Sequence, residues 1–206
     1  EEIKQMVLRA RKDVHNRIKG RVAKQDVLDD YCQFTIKFLS PKAFKQNFKF
    51  IYNPNFGYNG VVLQRFINLH KPEWKIYGLN AEPDGAFPKG RPDPFVPENR
   101  PEFVKLTKNK KCDFGVAWDA DADRVFFCDD RGDFLEAYYI NSLLIKAILK
   151  GKRNEKIIYD PRNTWALIDA AKEMGAVSII ERCGHSFIKE RMRKENAIFA
   201  GEASGH

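Results

Sequence analysis

No uninterrupted apolar run in this 206-residue sequence approaches the roughly 20 residues that a helix needs to span a bilayer, so a helical membrane protein is excluded. Cysteine is also scarce: the four are far apart and form no CxxC pair, which is typical of reduced thiols in a cytosolic protein. Residues 1–4 match no secretion signal and include no initiator methionine. These absences predict a cytoplasmic protein that is not associated with a membrane.

The composition is that of a globular protein with a substantial core. Hydrophobic residues make up 43% and charged residues 31%, which excludes a disordered or collagen-like chain. At roughly 100–200 residues per domain, the length allows one large domain or two small ones. Lysine plus arginine number 36 against 28 for aspartate plus glutamate, and the net charge of +8 favours anionic partners such as phosphorylated metabolites or nucleic acid.

Part of the positive charge lies in residues 1–25, where we predict a basic amphipathic linker helix. Apolar residues there recur three and four positions apart, from Ile3 to Ile18. A solvated basic face is the simplest interpretation, and contact with nucleic acid or a membrane surface is the alternative. Because aromatic residues are not interleaved with the charges, nucleic acid is not favoured as a partner.

Residues 26–152 alternate short apolar segments with helical patterns and are predicted to form one α/β domain. Its expected elements are strands at 48–52, 74–79 and 113–118, a hairpin at 125–135, and helices at 61–69 and 138–150. The last helix is predicted to have one apolar side, formed by Tyr139, Leu143, Leu144, Ala147 and Ile148. Prolines concentrated between Pro83 and Pro101 predict a stiff, extended surface loop.

A second, incomplete domain is predicted over residues 153–206. Its expected elements are strands at 157–159, 177–180 and 197–200, and helices at 164–174 and 187–194. Gly175 is the expected stop of the first of these helices. The predicted fold class is therefore α/β, with mixed, largely parallel sheets flanked by helices in both domains.

The strongest chemical signal is the segment Asp119–Arg124, which reads D-A-D-A-D-R and directly follows an apolar strand. Three clustered carboxylates repel one another unless they are protonated or neutralised by a cation. Such oxygen ligands favour Mg²⁺ or Ca²⁺, and Mg²⁺ keeps positions open for water or a phosphate oxygen. Arg124 adds a bidentate phosphate donor. The segment predicts a phosphate-handling metal site, with an acidic surface turn as the alternative.

Three other carboxylate motifs fit this segment poorly. An EF-hand requires a glycine where Arg124 stands and a helix where Val125–Phe127 reads as a strand. A phosphatase with an aspartyl nucleophile has threonine or valine where Asp123 stands. The D-x-D motif of metal-dependent glycosyltransferases calls for neither the third aspartate nor the arginine.

Two further polar segments lie in the second domain. Residues 182–186, R-C-G-H-S, fall between a strand and a helix and offer an imidazole, a hydroxyl and helix N-terminal N–H groups to an anion. In residues 201–206, G-E-A-S-G-H, the glycines let the backbone approach a ligand, and two polar side chains suit sugar hydroxyls. Taken alone, a hydrogen-bonded loop histidine and a flexible tail are the simpler interpretations.

Taken together, these segments resemble the motifs of the α-D-phosphohexomutase family. Asp119–Arg124 is similar to the D-G-D-x-D-R metal loop of that family. Residues 183–186 are similar to its T-G-H-S segment, and residues 201–206 to its G-E-M-S-G-H sugar-binding loop. Residues 82–88 and 159–162 also resemble family segments, and all five occur in the family's order.

The resemblance implies the second domain and part of the third of a four-domain enzyme that interconverts hexose 1-phosphates and 6-phosphates, most readily of mannose or glucose. It implies Mg²⁺ as the cofactor, with Asp119, Asp121 and Asp123 as ligands. The implied catalytic residues are Arg124 and His185, and the implied substrate-binding residues are Arg162, Gly184, His185, Glu202 and Ser204. Hexose phosphates, a hexose bisphosphate, and the first and fourth domains with their phosphoserine are the implied partners.

The sequence departs from the family pattern in two ways. Ala120 replaces the first glycine of the metal loop, where it is expected to disfavour a positive φ, and Cys183 and Ala203 replace threonine and methionine. The S-H-N-P serine loop and the fourth domain are absent, so the chain is expected to be an excised piece without activity of its own. The alternatives are a remnant that binds sugar phosphate or metal without catalysis, and a basic nucleic-acid-binding domain.

Overall fold

The computed structural model describes residues 2–10, 20–163 and 165–206, which form two α/β units. The helices are α1 (Glu2–Arg9), α2 (Leu28–Thr35), α3 (Pro41–Phe44), α4 (Asn59–His70), α5 (Pro101–Asn109), α6 (Ala137–Ile148), α7 (Trp165–Glu173) and α8 (His185–Glu195). The strands are β1 (Lys49–Asn53), β2 (Lys75–Gly78), β3 (Phe114–Trp118), β4 (Val125–Asp129), β5 (Phe134–Leu135), β6 (Lys156–Tyr159), β7 (Val177–Ile180) and β8 (Phe199–Gly201).

The first sheet has five strands in the order β2-β1-β3-β4-β5. β1 pairs in parallel with both neighbours, so that Ile51 lies opposite Tyr77 on one side and Gly115 on the other. β4 and β5 extend the sheet as an antiparallel hairpin. β1 contributes Ile51 to one buried cluster and Phe50 to another, as expected of a central strand covered on both faces. The predicted mixed sheet and its hairpin are confirmed.

The second sheet has three parallel strands in the order β7-β6-β8. Its core includes Ile157 of β6 and Leu167 of α7, and Gly175 ends the α7 segment with a positive φ of 67°. The helix α6 packs into this core through Ile145. We therefore propose a boundary between the two units near residue 136, in place of the boundary at 152 expected from the sequence.

The predicted apolar side of α6 is wrong. Tyr139 and Leu143 are 53% and 64% exposed, whereas the buried residues of the helix are Ala137, Asn141 and Ile145. Helical spacing identifies two possible faces here, and a polar residue lies on the one that packs. Asn141 is buried because its amide donates to Asn163 and to the carbonyl of Glu202.

The start of the chain also differs from the prediction. α1 ends at Arg9 with every residue exposed, and residues 20–25 are not helical, so the helix does not continue to residue 25. Residues 11–19 of the predicted helix lie outside the described residues. A helix that buries no apolar face gains little from packing, and Gly20 disfavours its continuation.

The proline-rich segment is not simply a surface loop. Pro97 opens a 3₁₀ turn, Pro97–Asn99, and Pro101 occupies the first turn of α5, where its missing N–H has no cost. Asp93 and Pro94 are buried. The segment therefore places the buried carboxylate of Asp93 inside the first unit.

All four cysteines are free, as expected, and Cys183 is exposed. Within the described ranges, every helix is too short or too polar to cross a bilayer.

Candidate functional site

The segment Asp119–Arg124 leaves the carboxyl end of β3 and is fixed from the neighbouring strand. The Asn55 side chain donates a hydrogen bond of 2.6 Å from Nδ2 to the carbonyl of Trp118. Gly57 lies against the Ala120 carbonyl so closely that a Cβ at this glycine would overlap the oxygen. The loop after β1 therefore sets the position at which the aspartate segment begins, a support that the sequence analysis missed.

The structure brings the three predicted aspartates together. Carboxylate oxygens of Asp119, Asp121 and Asp123 lie within 4.8 Å of one another, with Asp119 buried and the other two exposed. One buried anchor and two accessible carboxylates form an oxygen-only donor set, which suits a hard cation such as Mg²⁺ and leaves one side open to a ligand. Their convergence is a property of the structure, and their role as metal ligands stays a prediction.

The carboxylates of Asp119 and Asp123 differ in their acidity. Burial raises the pKa of Asp119, although the guanidinium and backbone amide of Arg124 oppose this shift. Burial also acts to raise the pKa of Asp123, but the hydrogen bond with Asp119 and the His206 side chain outweigh it, so that this pKa is lowered. The two pKa values therefore shift in opposite directions, because Asp119 is buried and Asp123 is exposed beside His206.

Arg124 lies between two buried carboxylates. Its Nε donates to Asp119 Oδ2 at 2.5 Å, and its Nη1 donates to Asp93 Oδ2 at 3.0 Å. Burial acts to lower the pKa of Arg124, but the hydrogen bond to Asp93 and the charge of Asp119 raise it. The guanidinium is thus held charged beside the aspartate segment. Sequence reasoning missed Asp93, whose only signal was an aspartate inside the proline-rich segment.

In the second unit, the buried Asp160 joins the end of β6 to the terminal loop. Its Oδ2 accepts a hydrogen bond of 2.8 Å from the amide of Ala203 and one of 3.0 Å from Nη2 of Arg162. Burial acts to raise the pKa of Asp160, but these bonds lower it. Asp160 therefore stays ionised and fixes the predicted site residue Arg162. Its carboxylate role was not predicted, although the residue lies in the quoted segment 159–162.

Glu202, in the terminal loop, is buried. Its Oε1 accepts a hydrogen bond of 2.9 Å from the amide of Gly184 and lies 3.8 Å from Nη2 of Arg162. Its Oε2 accepts no hydrogen bond from the described residues and lies 3.4 Å from Nδ1 of His206. One oxygen of this carboxylate thus lies near two other predicted site residues, Gly184 and Arg162, and the other lies beside the imidazole of His206.

His206 connects the terminal loop to the aspartate segment. Its Nδ1 lies 2.9 Å from Ser204 Oγ, and its Nε2 lies 3.1 Å from Asp123 Oδ2. Beside it, the carbonyl of Gly205 accepts a hydrogen bond of 3.1 Å from the amide of Val125. His206 was not among the predicted site residues, although it closes the quoted segment 201–206.

His185 is the first residue of α8 and lies exposed beside His206, with 5.2 Å between ring centroids. It follows Gly184, whose φ of 123° turns the chain into the helix. The structure therefore gathers predicted residues of both units at one place. An arginine, three aspartates, imidazoles and a hydroxyl there can bind a phosphate, a cation and sugar hydroxyls.

The chain matches two consecutive models of one protein family. The model described as phosphoglucomutase/phosphomannomutase, alpha/beta/alpha domain II, matches residues 29–132, and the model of alpha/beta/alpha domain III matches residues 136–206. Together they cover most of the chain. The resemblance found in the sequence motifs is confirmed.

Curated relatives carry related names. A phosphomannomutase of Vibrio cholerae is 42% identical over 193 residues, covering 92% of this chain and 41% of that protein. A Xanthomonas campestris protein named phosphohexose mutases is 41% identical over 158 residues, covering 77% of this chain and 35% of that protein. The chain thus spans less than half the length of these relatives.

A solved structure of the same family has a similar fold. The crystal structure of a phosphoglucomutase/phosphomannomutase family protein from Burkholderia thailandensis superposes with a TM-score of 0.79 at 28% identity, covering 88% of this chain and 38% of that one. The two chains share the fold over both units.

Proposed function

Because the chain belongs to the phosphoglucomutase/phosphomannomutase family, in which it spans domains II and III, we propose that it supplies the metal loop and the sugar-binding loop of a phosphohexomutase. The reaction is the interconversion of hexose 1-phosphate and hexose 6-phosphate, with mannose and glucose phosphates as substrates. The observation that carries this proposal is the contact between His206 and Asp123, because it joins the two loops into one site. A site shared by the loops can hold a metal-neutralised phosphate next to sugar hydroxyls.

Asp119, Asp121 and Asp123 would hold Mg²⁺, for which their oxygen donor set is suited. When bound, the ion neutralises negative charge on a phosphoryl group. Arg124 has its guanidinium fixed by Asp93 and offers N–H groups to the same phosphate. Phosphoryl transfer depends mainly on such positioning and charge neutralisation, so rigid donors are the principal requirement.

The sugar is bound by the second unit. Arg162 is oriented by Asp160 toward Glu202, and Gly184 fixes the carboxylate of that glutamate. Ser204 donates or accepts hydrogen bonds at sugar hydroxyls, and the carboxylate of Glu202 accepts them. His185 is exposed at the N-terminus of α8, where its imidazole holds or moves a proton at a reacting hydroxyl.

The phosphoryl donor is a phosphoserine on another domain of the complete enzyme. The bond from its Oγ to phosphorus breaks as a hexose hydroxyl bonds to phosphorus, and the proton of that hydroxyl passes to a base. The resulting hexose bisphosphate then returns its other phosphoryl group to the serine. Because the chain spans less than half the length of its relatives, we infer that the phosphoserine lies outside the matched segment and that these 206 residues alone are inactive. We also propose the cytoplasm as the place of the reaction.

Calorimetric titration of the chain with mannose 6-phosphate in the presence of Mg²⁺ tests this proposal. We expect binding that mannose alone does not reproduce, because both a phosphate and a sugar are recognised. Glu202→Gln should weaken it roughly tenfold, since one hydrogen bond to a charged group contributes about 1.5–3 kcal/mol. The exposed Glu190→Gln on α8 is the matched control and should bind like the unaltered chain. Equal binding by the Glu202 variant, or none by the unaltered chain, would overturn the proposal.

A further inference from the structure

Beside the three aspartates lies a second group of metal-ligating side chains with a different chemistry. One ligand atom each of Asp123, His185 and His206 lies within 4.8 Å of the others. Two imidazoles and one carboxylate are the donors of borderline transition-metal ions, whereas the three carboxylates suit hard cations. The two groups share Asp123, so they are neighbouring but chemically distinct.

The surroundings of His206 allow its Nε2 to bind a metal. Its Nδ1 lies 3.4 Å from Oε2 of Glu202, a buried oxygen that accepts no hydrogen bond from the described part of the chain. Ser204 Oγ lies closer to the same nitrogen, at 2.9 Å, so both groups can accept a hydrogen on Nδ1 once Nε2 binds a metal, as second-shell groups do for a metal-bound histidine. Nε2 then presents its lone pair to the ion.

Asp123 supplies the second ligand atom. Nε2 of His206 lies 3.1 Å from Oδ2 of Asp123, and a hydrogen bond joins the two atoms when no ion is bound. A cation that takes the place of that hydrogen is coordinated by both atoms. Ligand atoms on a tetrahedral ion with bonds of about 2.0–2.1 Å lie roughly 3.3 Å apart, close to the separation found.

We propose that Asp123, His185 and His206 form a second metal site, which takes a transition-metal ion of the Zn²⁺ class with water as its fourth ligand. His185 is exposed and adjacent to His206, so its ring can complete the site by rotating about its side-chain bonds. The site needs no substrate, and it exists whether or not the chain serves a phosphohexomutase.

The second site has a consequence for the first. Zn²⁺ at the second site withdraws Asp123 from the three carboxylates, so Zn²⁺ and Mg²⁺ weaken one another's binding by the same factor. The ion also joins the two units, because Asp123 comes from the first and the histidines come from the second. We therefore expect Zn²⁺ to antagonise Mg²⁺ and to hold the two units together.

Separate calorimetric titrations of the chain with Zn²⁺ and with Mg²⁺ test the proposal. His185→Gln should weaken Zn²⁺ binding by at least the roughly 10–100-fold that loss of a supporting residue costs, and it should leave Mg²⁺ binding unchanged. Asp121→Asn should do the reverse, because Asp121 belongs only to the carboxylate group. His70→Gln, in α4, is the control for losing a histidine elsewhere.

Co²⁺ provides a second readout, because four-coordinate, histidine-ligated Co²⁺ has much stronger visible absorption than an oxygen-ligated six-coordinate ion. We expect strong bands with the unaltered chain and with His70→Gln, and none with His185→Gln. Equal Zn²⁺ affinity in the unaltered chain and His185→Gln would overturn the proposal, as would loss of both metals in Asp121→Asn. An unaltered chain that binds Zn²⁺ but does not bind Mg²⁺, or does not bind mannose 6-phosphate, would instead count against the proposed function alone.

Discussion

Oδ2 of Asp93 accepts a hydrogen bond of 3.0 Å from Nη1 of Arg124, across 31 residues of sequence. The same guanidinium donates to Asp119, so the arginine is held by one carboxylate of the proline-rich segment and one of the aspartate segment. A cation bound to Asp119 competes with Arg124 for that oxygen. Asp93 is then the partner that keeps the guanidinium in place for a phosphate.

Asp93→Asn tests this role of Asp93. The amide keeps a hydrogen-bond acceptor but loses the charge opposite a largely buried guanidinium, so we expect the free energy of unfolding to fall by about 1–2 kcal/mol. Urea denaturation measures the change. Asp130→Asn removes an exposed charge from the first unit and should stay within about 0.5 kcal/mol of the unaltered chain. Similar losses in both variants would show that the buried charge of Asp93 contributes nothing beside Arg124 and Arg91, its two arginine partners.

Asp160→Asn should give a pH-dependent loss of stability. The pKa of Asp160 is lowered in the folded chain, so its ionised form stabilises the fold above the ordinary value of 3.8. This contribution is lost as the pH falls below 3.8 through the folded pKa. The unfolding free energies of the two chains should thus differ by a constant amount near neutral pH and converge in acid.

Unfolding curves recorded over this range of pH check the prediction. The exposed Asp169→Asn on α7 is the control and should show no such convergence. A difference between Asp160→Asn and the unaltered chain that stays constant into acid would contradict the ionised state that we assign to this carboxylate.

Ala120 and Ala122 should respond in opposite ways to replacement by glycine. Ala122 has a φ of 62°, a left-handed conformation that costs an alanine about 1–2 kcal/mol, whereas Ala120 is not among the residues of positive φ. Ala122→Gly should therefore match or exceed the unaltered chain in stability. Ala120→Gly should lower the free energy of unfolding by about 0.4–1 kcal/mol, because glycine gains freedom in the unfolded chain. Thermal denaturation distinguishes the two, and the reverse order would mean that the loop has another backbone conformation.

Gly57→Ala should weaken Mg²⁺ binding although Gly57 carries no ligand. Its Cβ would overlap the Ala120 carbonyl, so the aspartate segment and the loop after β1 must separate. Calorimetry should find an affinity for Mg²⁺ reduced by roughly tenfold, as for the loss of a supporting residue. Gly85→Ala, where a Cβ meets open space, is the matched control. Unchanged Mg²⁺ affinity in Gly57→Ala would show that the loop after β1 does not position the aspartates.

The features that could be predicted from the sequence are those carried by neighbouring residues. The three carboxylates of Asp119–Arg124 lie close together in the sequence itself, and the strands β1 and β3 are predicted by short apolar segments. Partners that are distant in sequence could not be predicted. Asp93 and Asn55 reach the aspartate segment only because of how the proline-rich segment folds and how β1 pairs with β3.

The family motif does not show which residue of the metal loop is left-handed. Ala120, which was expected to disfavour a positive φ, does not have one, whereas Ala122 has a φ of 62°. A motif compared letter by letter does not give the backbone angles that the loop adopts. In α6, likewise, helical spacing could not indicate that the side containing Asn141 packs, because the amide's partners lie in other elements.

The central claim is that this chain carries working metal and sugar loops of a phosphohexomutase. Its most direct test replaces the matching segment of the Vibrio cholerae phosphomannomutase with residues 29–206 of this chain and measures conversion of mannose 1-phosphate to mannose 6-phosphate. We predict steady conversion, and a loss of roughly 10²–10³-fold in kcat when Asp121→Asn is added, because the change removes charge neutralisation at the transferring phosphate. A folded chimera that binds mannose 6-phosphate but does not convert mannose 1-phosphate, or one whose activity is unchanged by Asp121→Asn, would contradict the account.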